Sequence, residues 1–173
     1  WLGTLIAPYD AGDTVITTYV ADAAAQARSL WNSLDTSTSR TYLWADLDSS
    51  TVSAVQRNAI GRLRTLALAL CSPGSNLYGS TALRADILSA VDWFLAHKYG
   101  PVAQYDNWWD FQIGIPLALN DVCVLLFGDL GSTRIQTATA AIAKYAPTPT
   151  TTNGQTSTGA NRNWACAIAI VRG

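Results

Sequence analysis

The sequence predicts an all-α fold of stacked antiparallel helix pairs, either a bundle or an α/α toroid. Three observations lead there. Apolar residues recur at the 3.6-residue spacing of a helix face in one segment after another. No segment shows the apolar–polar alternation of a half-buried strand. The helix-length segments follow one another at regular intervals with short breaks of Pro, Gly and Ser, the pattern of neighbouring helices packed side by side.

The first helix is expected over Asp13 to Leu34. Ile16, Tyr19, Val20, Ala23, Ala27, Leu30, Trp31 and Leu34 form its apolar face, and Asp13 is placed to cap its N-terminus. A polar stretch, Asp35 to Arg40, separates it from the second, Thr51 to Cys71, whose face is Val52, Val55, Ala59, Leu63, Leu66 and Leu70. Ser72-Pro73-Gly74 ends it, because Pro lacks a backbone donor and fixes φ. A third starts near Ser80, carries Leu83, Ile87, Val91, Phe94 and Leu95, and ends at Gly100-Pro101. The fourth spans Asn107 to Phe127 with Pro116 inside it, which predicts a kink or a restart there. The fifth begins at Ser132 with Ile135, Ala138, Ile142 and Tyr145 on its face. Pro147 to Gly159 is the one long loop, rich in Thr, Ser, Gly and Pro, and Asn161 to Gly173 reads as the start of another helix.

Bulk composition narrows the function. The 173 residues suffice for one domain with a core, and the net charge of −1 gives no field to draw in nucleic acid or a membrane surface. No uninterrupted apolar run is long enough to span a bilayer, and Trp1-Leu2-Gly3-Thr4 does not open a signal peptide, which is expected to be absent or removed. Hydrophobic residues make up 49% of the chain and mean hydropathy is positive, which suggests apolar faces meant for more protein. Cys71, Cys123 and Cys166 are odd in number, widely spaced and set in apolar helical contexts, so buried free thiols are expected rather than a zinc or redox site. No metal or cofactor is expected.

Seven Trp is a high count, and two of them adjoin in Asn107-Trp108-Trp109-Asp110. Neighbouring helical residues point about 100° apart, so both rings cannot share one narrow core stripe. Either the pair packs between helices, or one ring lies at a cleft, where its face can stack on the C–H face of a sugar. Trp93-Phe94 makes the same adjacency and reads as packing. Thr158-Gly159-Ala160-Asn161-Arg162 runs from a Gly-containing loop into a helix with Asn161 at the cap position. The Asn there serves as a plain cap, or its amide faces a cleft and holds a carboxylate with Arg162 near. His97, at a helix C-terminus, suits the helix dipole. Asp46 with Asp48, and Asp106 with Asp110, are close in sequence and would suit a glycoside hydrolase, which needs two carboxyls across the scissile bond.

Taken together, Asn107-Trp108-Trp109-Asp110-Phe111-Gln112-Ile113-Gly114-Ile115-Pro116-Leu117-Ala118-Leu119-Asn120-Asp121 and the later Thr158-Gly159-Ala160-Asn161-Arg162 resemble polysaccharide lyase family 8, which contains hyaluronate, chondroitin AC and xanthan lyases. Ser39-Arg40-Thr41-Tyr42-Leu43-Trp44 and Arg62-Leu63-Arg64-Thr65-Leu66-Ala67-Leu68 fit its N-terminal helical domain, so the resemblance covers nearly the whole chain. It implies an incomplete α/α toroid followed by β-sandwich domains, in a secreted, extracellular enzyme that cleaves acidic polysaccharide at uronate residues by β-elimination, without a cofactor. Trp108 and Trp109 resemble the family's aromatic patch, Asn161 its carboxylate-neutralising residue, and Asn107 and Arg162 secondary substrate contacts. Residues 1–173 would then be the N-terminal part of the toroid, with 147–160 the loop leading to the catalytic Asn161.

In the family a His and a Tyr complete the proton transfer well beyond the Asn motif, whereas only twelve residues follow Asn161 here, and His97, Tyr99 and Tyr105 do not match them. The chain is therefore expected to be an incomplete part whose proton-transferring half belongs to the remaining part of the same enzyme. Gln112, Leu117 and Asn163-Trp164 look closer to xanthan lyases than to glycosaminoglycan lyases, and residues 153–157 look like extra loop. The alternative from a different class is a non-catalytic carbohydrate-binding helical module.

Overall fold

A computed structural model describes residues 1–6 and 8–173. Their order along the chain is α1 (Leu2–Leu5), α2 (Thr14–Asn32), a 3-10 turn (Ala45–Leu47), α3 (Ser53–Cys71), α4 (Thr81–His97), a π-helical turn (Asp110–Gly114), α5 (Ile115–Leu125), α6 (Phe127–Tyr145), strands β1 (Thr151–Thr152) and β2 (Gln155–Thr156), and α7 (Gly159–Arg172). The fold is the expected all-α one of an incomplete toroid, with a small hairpin added.

The expected boundaries of the long helices hold for the expected reasons. The Asp13 carboxylate accepts the backbone N–H groups of Val15 at 2.8 Å and Ile16 at 3.2 Å, so α2 starts with two of its orphan donors satisfied. The Ser80 hydroxyl does the same for Leu83 at the head of α4. α3 stops before Pro73. α6 bends at Gly131, whose φ of 68° and ψ of 168° interrupt the helix, so its regular part begins where Ser132 was expected to begin it.

α3 is the central element and packs against α2, α4 and α5. Its Ile60, Leu63, Leu66 and Ala67 are completely buried, with Leu83, Ile87 and Phe94 of α4 and Leu119 and Val122 of α5 closing over them. Burying each of the Leu, Ile, Val and Phe side chains contributes roughly 1.5–3 kcal/mol, so this layer dominates the fold's stability. α2 is attached more loosely. Among its residues Ala24 and Ala27 are buried, while Val15 and Tyr19 are three-quarters exposed. Tyr19, expected on the core face, instead borders an open groove with Tyr9, Leu68 and Pro73.

Three further expectations need correction. The loop from Pro147 to Gly159 is not structureless: β1 and β2 pair antiparallel, Thr151 with Thr156 and Thr152 with Gln155. Asn153 and Gly154 turn between them at φ of 49° and 73°, the left-handed conformation that Asn-Gly favours in tight hairpins. α7 starts two residues before Asn161, with Thr158 at the cap position in extended conformation, so Asn161 lies in the first turn rather than at the cap. The three thiols are free but only partly buried by residue. Burial still pushes the Cys123 thiol up to about 12 and raises that of Cys71, whose Sγ donates to the Leu125 carbonyl.

Candidate functional site

The site is built around the π-helical turn. Helical backbone begins at Trp108, one residue after Asn107, whose Oδ1 accepts the Trp109 N–H at 3.0 Å. That cap uses the side-chain oxygen and leaves the amide nitrogen of Asn107 without a partner among the described residues. Over Asp110–Gly114 the helix widens, and the Ile115 N–H reaches back five residues to the Asp110 carbonyl. The sequence sets where the widening ends. Pro116 has no N–H, so the Phe111 carbonyl cannot pair five residues ahead, and Ile115, four ahead, is already engaged. Its donor is instead the Tyr99 hydroxyl, at 2.9 Å from a completely buried ring. Tyr99 stands in an aromatic cluster with Phe94, Phe111 and Tyr145 at centroid distances of 6.2, 6.2 and 4.6 Å. Burial raises its hydroxyl well above the ordinary tyrosine value, which keeps it a donor.

The turn is held from the other side by α3. Asp110 is 1% exposed; its Oδ1 accepts from Arg57 Nη1 at 2.8 Å and its Oδ2 from the Ser53 hydroxyl at 2.6 Å. The Ser53 oxygen accepts the Asn107 N–H, and the Ser53 N–H donates to Asp106 at 2.9 Å. Asp106 thereby caps α3 from a distant part of the chain, and it sits at a φ of 56° to do so. Both acidic residues that suggested a hydrolase pair are thus tied to Ser53, and Asp110 has no open oxygen to present to a glycosidic bond. Asp46 is likewise engaged, by Arg62.

While paired with Asp110, Arg57 also lies beside Trp109, its guanidinium carbon 5.9 Å from the ring centroid. Gly114 makes that stacking possible: a Cβ there would fall 2.8 Å from both Arg57 Cδ and Trp109 Cζ3. The edge of the same indole meets Trp164 of α7, at 5.6 Å between centroids and 84° between planes. Trp108 is half-buried against the core. Of the adjoining Trp rings, therefore, both are partly packed and neither is fully enclosed.

Trp164 joins the two motifs. Asn161 precedes it by three residues and so shares its side of α7. The helix is fixed in place by the buried Asn120 amide, which donates to the Ile168 carbonyl at 3.0 Å, and by Arg172, which donates to the Ala146 carbonyl at 2.8 Å. Among the described residues the Asn161 side chain makes no hydrogen bond and the Arg162 guanidinium no ion pair, and Thr158 gives α7 no side-chain cap. One face thus gathers an indole, a half-exposed arginine, a free amide, and the uncapped positive end of a 14-residue helix. His97 is remote from it, stacked on Trp93 at the end of α4.

Sequence reasoning missed Arg57 and Ser53, and it gave Tyr99 and Trp164 no place in the site. Arg57, Ser53 and Trp164 lie tens of residues from their partners and Tyr99 lies twelve from Phe111, and no local spacing pairs them. Trp164 alone had a signal, at helical spacing from Asn161.

Paired helices around α3, with polar and aromatic groups gathered where α5 and α7 begin, define an α/α-toroid domain. Residues 1–173 match the family described as "Polysaccharide lyase family 8, N terminal alpha-helical domain", and the chain belongs to that family. It is 37% identical over 165 residues to a xanthan lyase of Bacillus sp. (strain GL1), covering 94% of this chain and 17% of that protein. It is 36% identical over 133 residues to a hyaluronate lyase of Thermasporomyces composti, covering 77% of this chain and 17% of that one. The solved Paenibacillus xanthan lyase superposes with a TM-score of 0.92 at 33% identity, over 99% of this chain and 16% of its own. A Streptomyces coelicolor chondroitin AC lyase in complex with chondroitin sulphate gives 0.90 at 32%, over 99% and 23%. The chain therefore spans about a sixth of the length of the curated lyases it matches.

Proposed function

We propose that the protein acts as a polysaccharide lyase on a uronate-containing acidic polysaccharide, xanthan or hyaluronan and chondroitin, by β-elimination outside the cell. Residues 1–173 supply the sugar platform and the carboxylate-neutralising Asn161 to a toroid completed by the rest of the enzyme. The observation that carries this reading is the Asn161 amide, without a partner among the described residues and on the same side of α7 as the Trp164 ring that meets Trp109.

The chemistry explains why such an amide matters. The C5 proton of a uronate is hardly acidic while its carboxylate is charged, because removing it adds a second negative charge to the same group. A fixed donor aimed at that carboxylate stabilises the enolate-like state, and one such donor is worth roughly 3 kcal/mol, about two orders of magnitude in rate. Asn161 offers its NH2 for this. The first-turn N–H groups of α7 and the positive end of its dipole favour an anion at the same place. Arg162 adds a charge that no carboxylate among the described residues pairs with. Trp108 and Trp109 seat the neutral faces of the sugars, and Asn107 has its amide nitrogen free to meet a hydroxyl. A base that takes the C5 proton and an acid that protonates the leaving oxygen must come from outside these residues.

The test is the intact protein with each polysaccharide. Cleavage by elimination produces unsaturated uronate ends, read as new ultraviolet absorbance, and Asn161→Ala nearly abolishes it with the fold intact. Binding without any new absorbance, lost in Trp108→Ala and Trp109→Ala, would show a carbohydrate-binding module instead.

A further inference from the structure

We infer that Gln112 is a positioning residue for the elimination reaction: it latches the 151–156 hairpin to the π-helical turn and so sets Asn161 against the Trp platform. The inference rests on the lyase reading above.

Gln112 uses both ends of its amide. Its Nε2 donates to the Gln104 Oε1 at 2.8 Å, and its Oε1 accepts the Asn153 N–H at 2.8 Å, in the turn of the hairpin. It stands in the same π-helical turn as Asp110, three residues after Trp109. The hairpin in turn runs directly into Thr158 and the first turn of α7. Gln112 therefore spans the two motifs by a second route, separate from the Trp109–Trp164 contact.

The hairpin needs such a tie. Each strand has two residues, and an isolated two-stranded ribbon is marginal in water even at greater length. Its base is held by the Ser157 N–H donating to the Thr150 carbonyl and by the burial of Thr152 and Ser157, while Thr151 and Asn153 through Thr156 are exposed. Among the described residues, Gln112 makes the one side-chain hydrogen bond from another element to residues 151–156. Without it the turn is free to swing, and the start of α7, with no side-chain cap of its own, follows. Asn161 must be placed to within a fraction of an ångström for its effect, and a misplacement of about 1 Å can lower a rate roughly 100-fold.

Two variants in the intact enzyme separate the latch from general damage. Gln112→Ala removes both bonds. Gln112→Glu keeps an acceptor for the Asn153 N–H, and Gln104 can turn its amide to donate to the new carboxylate, so the latch persists with an added negative charge. Turnover of polysaccharide is followed by ultraviolet absorbance, and amide hydrogen exchange of the 147–158 segment is measured on the same samples. The expected result for Gln112→Ala is a kcat lowered roughly 10- to 100-fold, KM within about twofold of wild type, and faster exchange in the hairpin. For Gln112→Glu, kcat returns to within about threefold of wild type, while KM rises because the charge repels an acidic polymer. An unchanged kcat in Gln112→Ala, unchanged hairpin exchange, or a Gln112→Glu kcat as low as that of Gln112→Ala would overturn the inference. An inactive wild-type enzyme whose hairpin exchange still rises in Gln112→Ala would instead overturn the lyase reading and leave the latch standing.

Discussion

Replacing Tyr99 with Phe removes one oxygen and nothing else, and the consequence can be worked from the geometry. The ring stays in its aromatic cluster. The Phe111 carbonyl loses its 2.9 Å donor and gains none, since Ile115 is engaged with Asp110 and Pro116 has no N–H. A buried acceptor left without a partner costs about 1–3 kcal/mol. For a domain of this size each kcal/mol lowers the melting temperature by about 2–4 °C, so Tyr99→Phe should melt roughly 2–12 °C below wild type. pH supplies a second readout. Burial raises the folded-state pKa of Tyr99, so the stabilisation from its neutral form is fully present below the unfolded value near 10. It is lost as pH rises through that value toward the folded one, because the unfolded chain releases its proton first. Tyr105 and Cys123 are shifted the same way by burial and add to the alkaline loss. Tyr99→Phe should therefore be less stable than wild type at neutral pH and decline less steeply above pH 10. Thermal unfolding followed by circular dichroism across that range checks both. A variant that melts with wild type and shows the same alkaline slope would refute the account of the π-helical turn.

Other expectations follow from contacts around the same turn. Gly114→Ala forces Arg57 and Trp109 apart, and binding of the polysaccharide, measured by calorimetry, should weaken roughly 10-fold while helix content is kept. Trp109→Ala should raise KM more than it lowers kcat, because stacking on a sugar face is present before and during the reaction. In the folded protein Cys123 should resist an alkylating reagent at neutral pH, as partial burial pushes its thiol up to about 12, and react within minutes in denaturant, as read by mass spectrometry.

The parts of the fold that were legible in the sequence are those set by neighbouring residues. Asp13 begins α2, Ser72-Pro73-Gly74 ends α3, and Pro116 marks where α5 restarts, each through backbone donors and φ preferences acting within a few residues. The hairpin also had a local signal in Asn153-Gly154, but two-residue strands are too short to alternate. The α7 start was misplaced because Thr158 and Asn161 are both residue types that suit a cap, three residues apart, and the helix begins after the earlier one although its side chain makes no cap bond. Asn107, Trp108, Trp109 and Asn161 stood out by residue type. What holds them did not. Arg57 reaches Asp110, and Asn120 reaches Ile168, across tens of residues of chain. Such pairings are decided by how α3, α5 and α7 pack, and no periodicity in one helix reports its neighbour's polar groups.

The most direct test of the central claim is the rate of unsaturated-uronate formation by the intact enzyme and by its Asn161→Ala variant at saturating polysaccharide. The account predicts absorbance growth in the wild type and a kcat lowered roughly 100-fold or more in the variant, with an unchanged melting temperature. Comparable kcat values in a folded Asn161→Ala enzyme would contradict it.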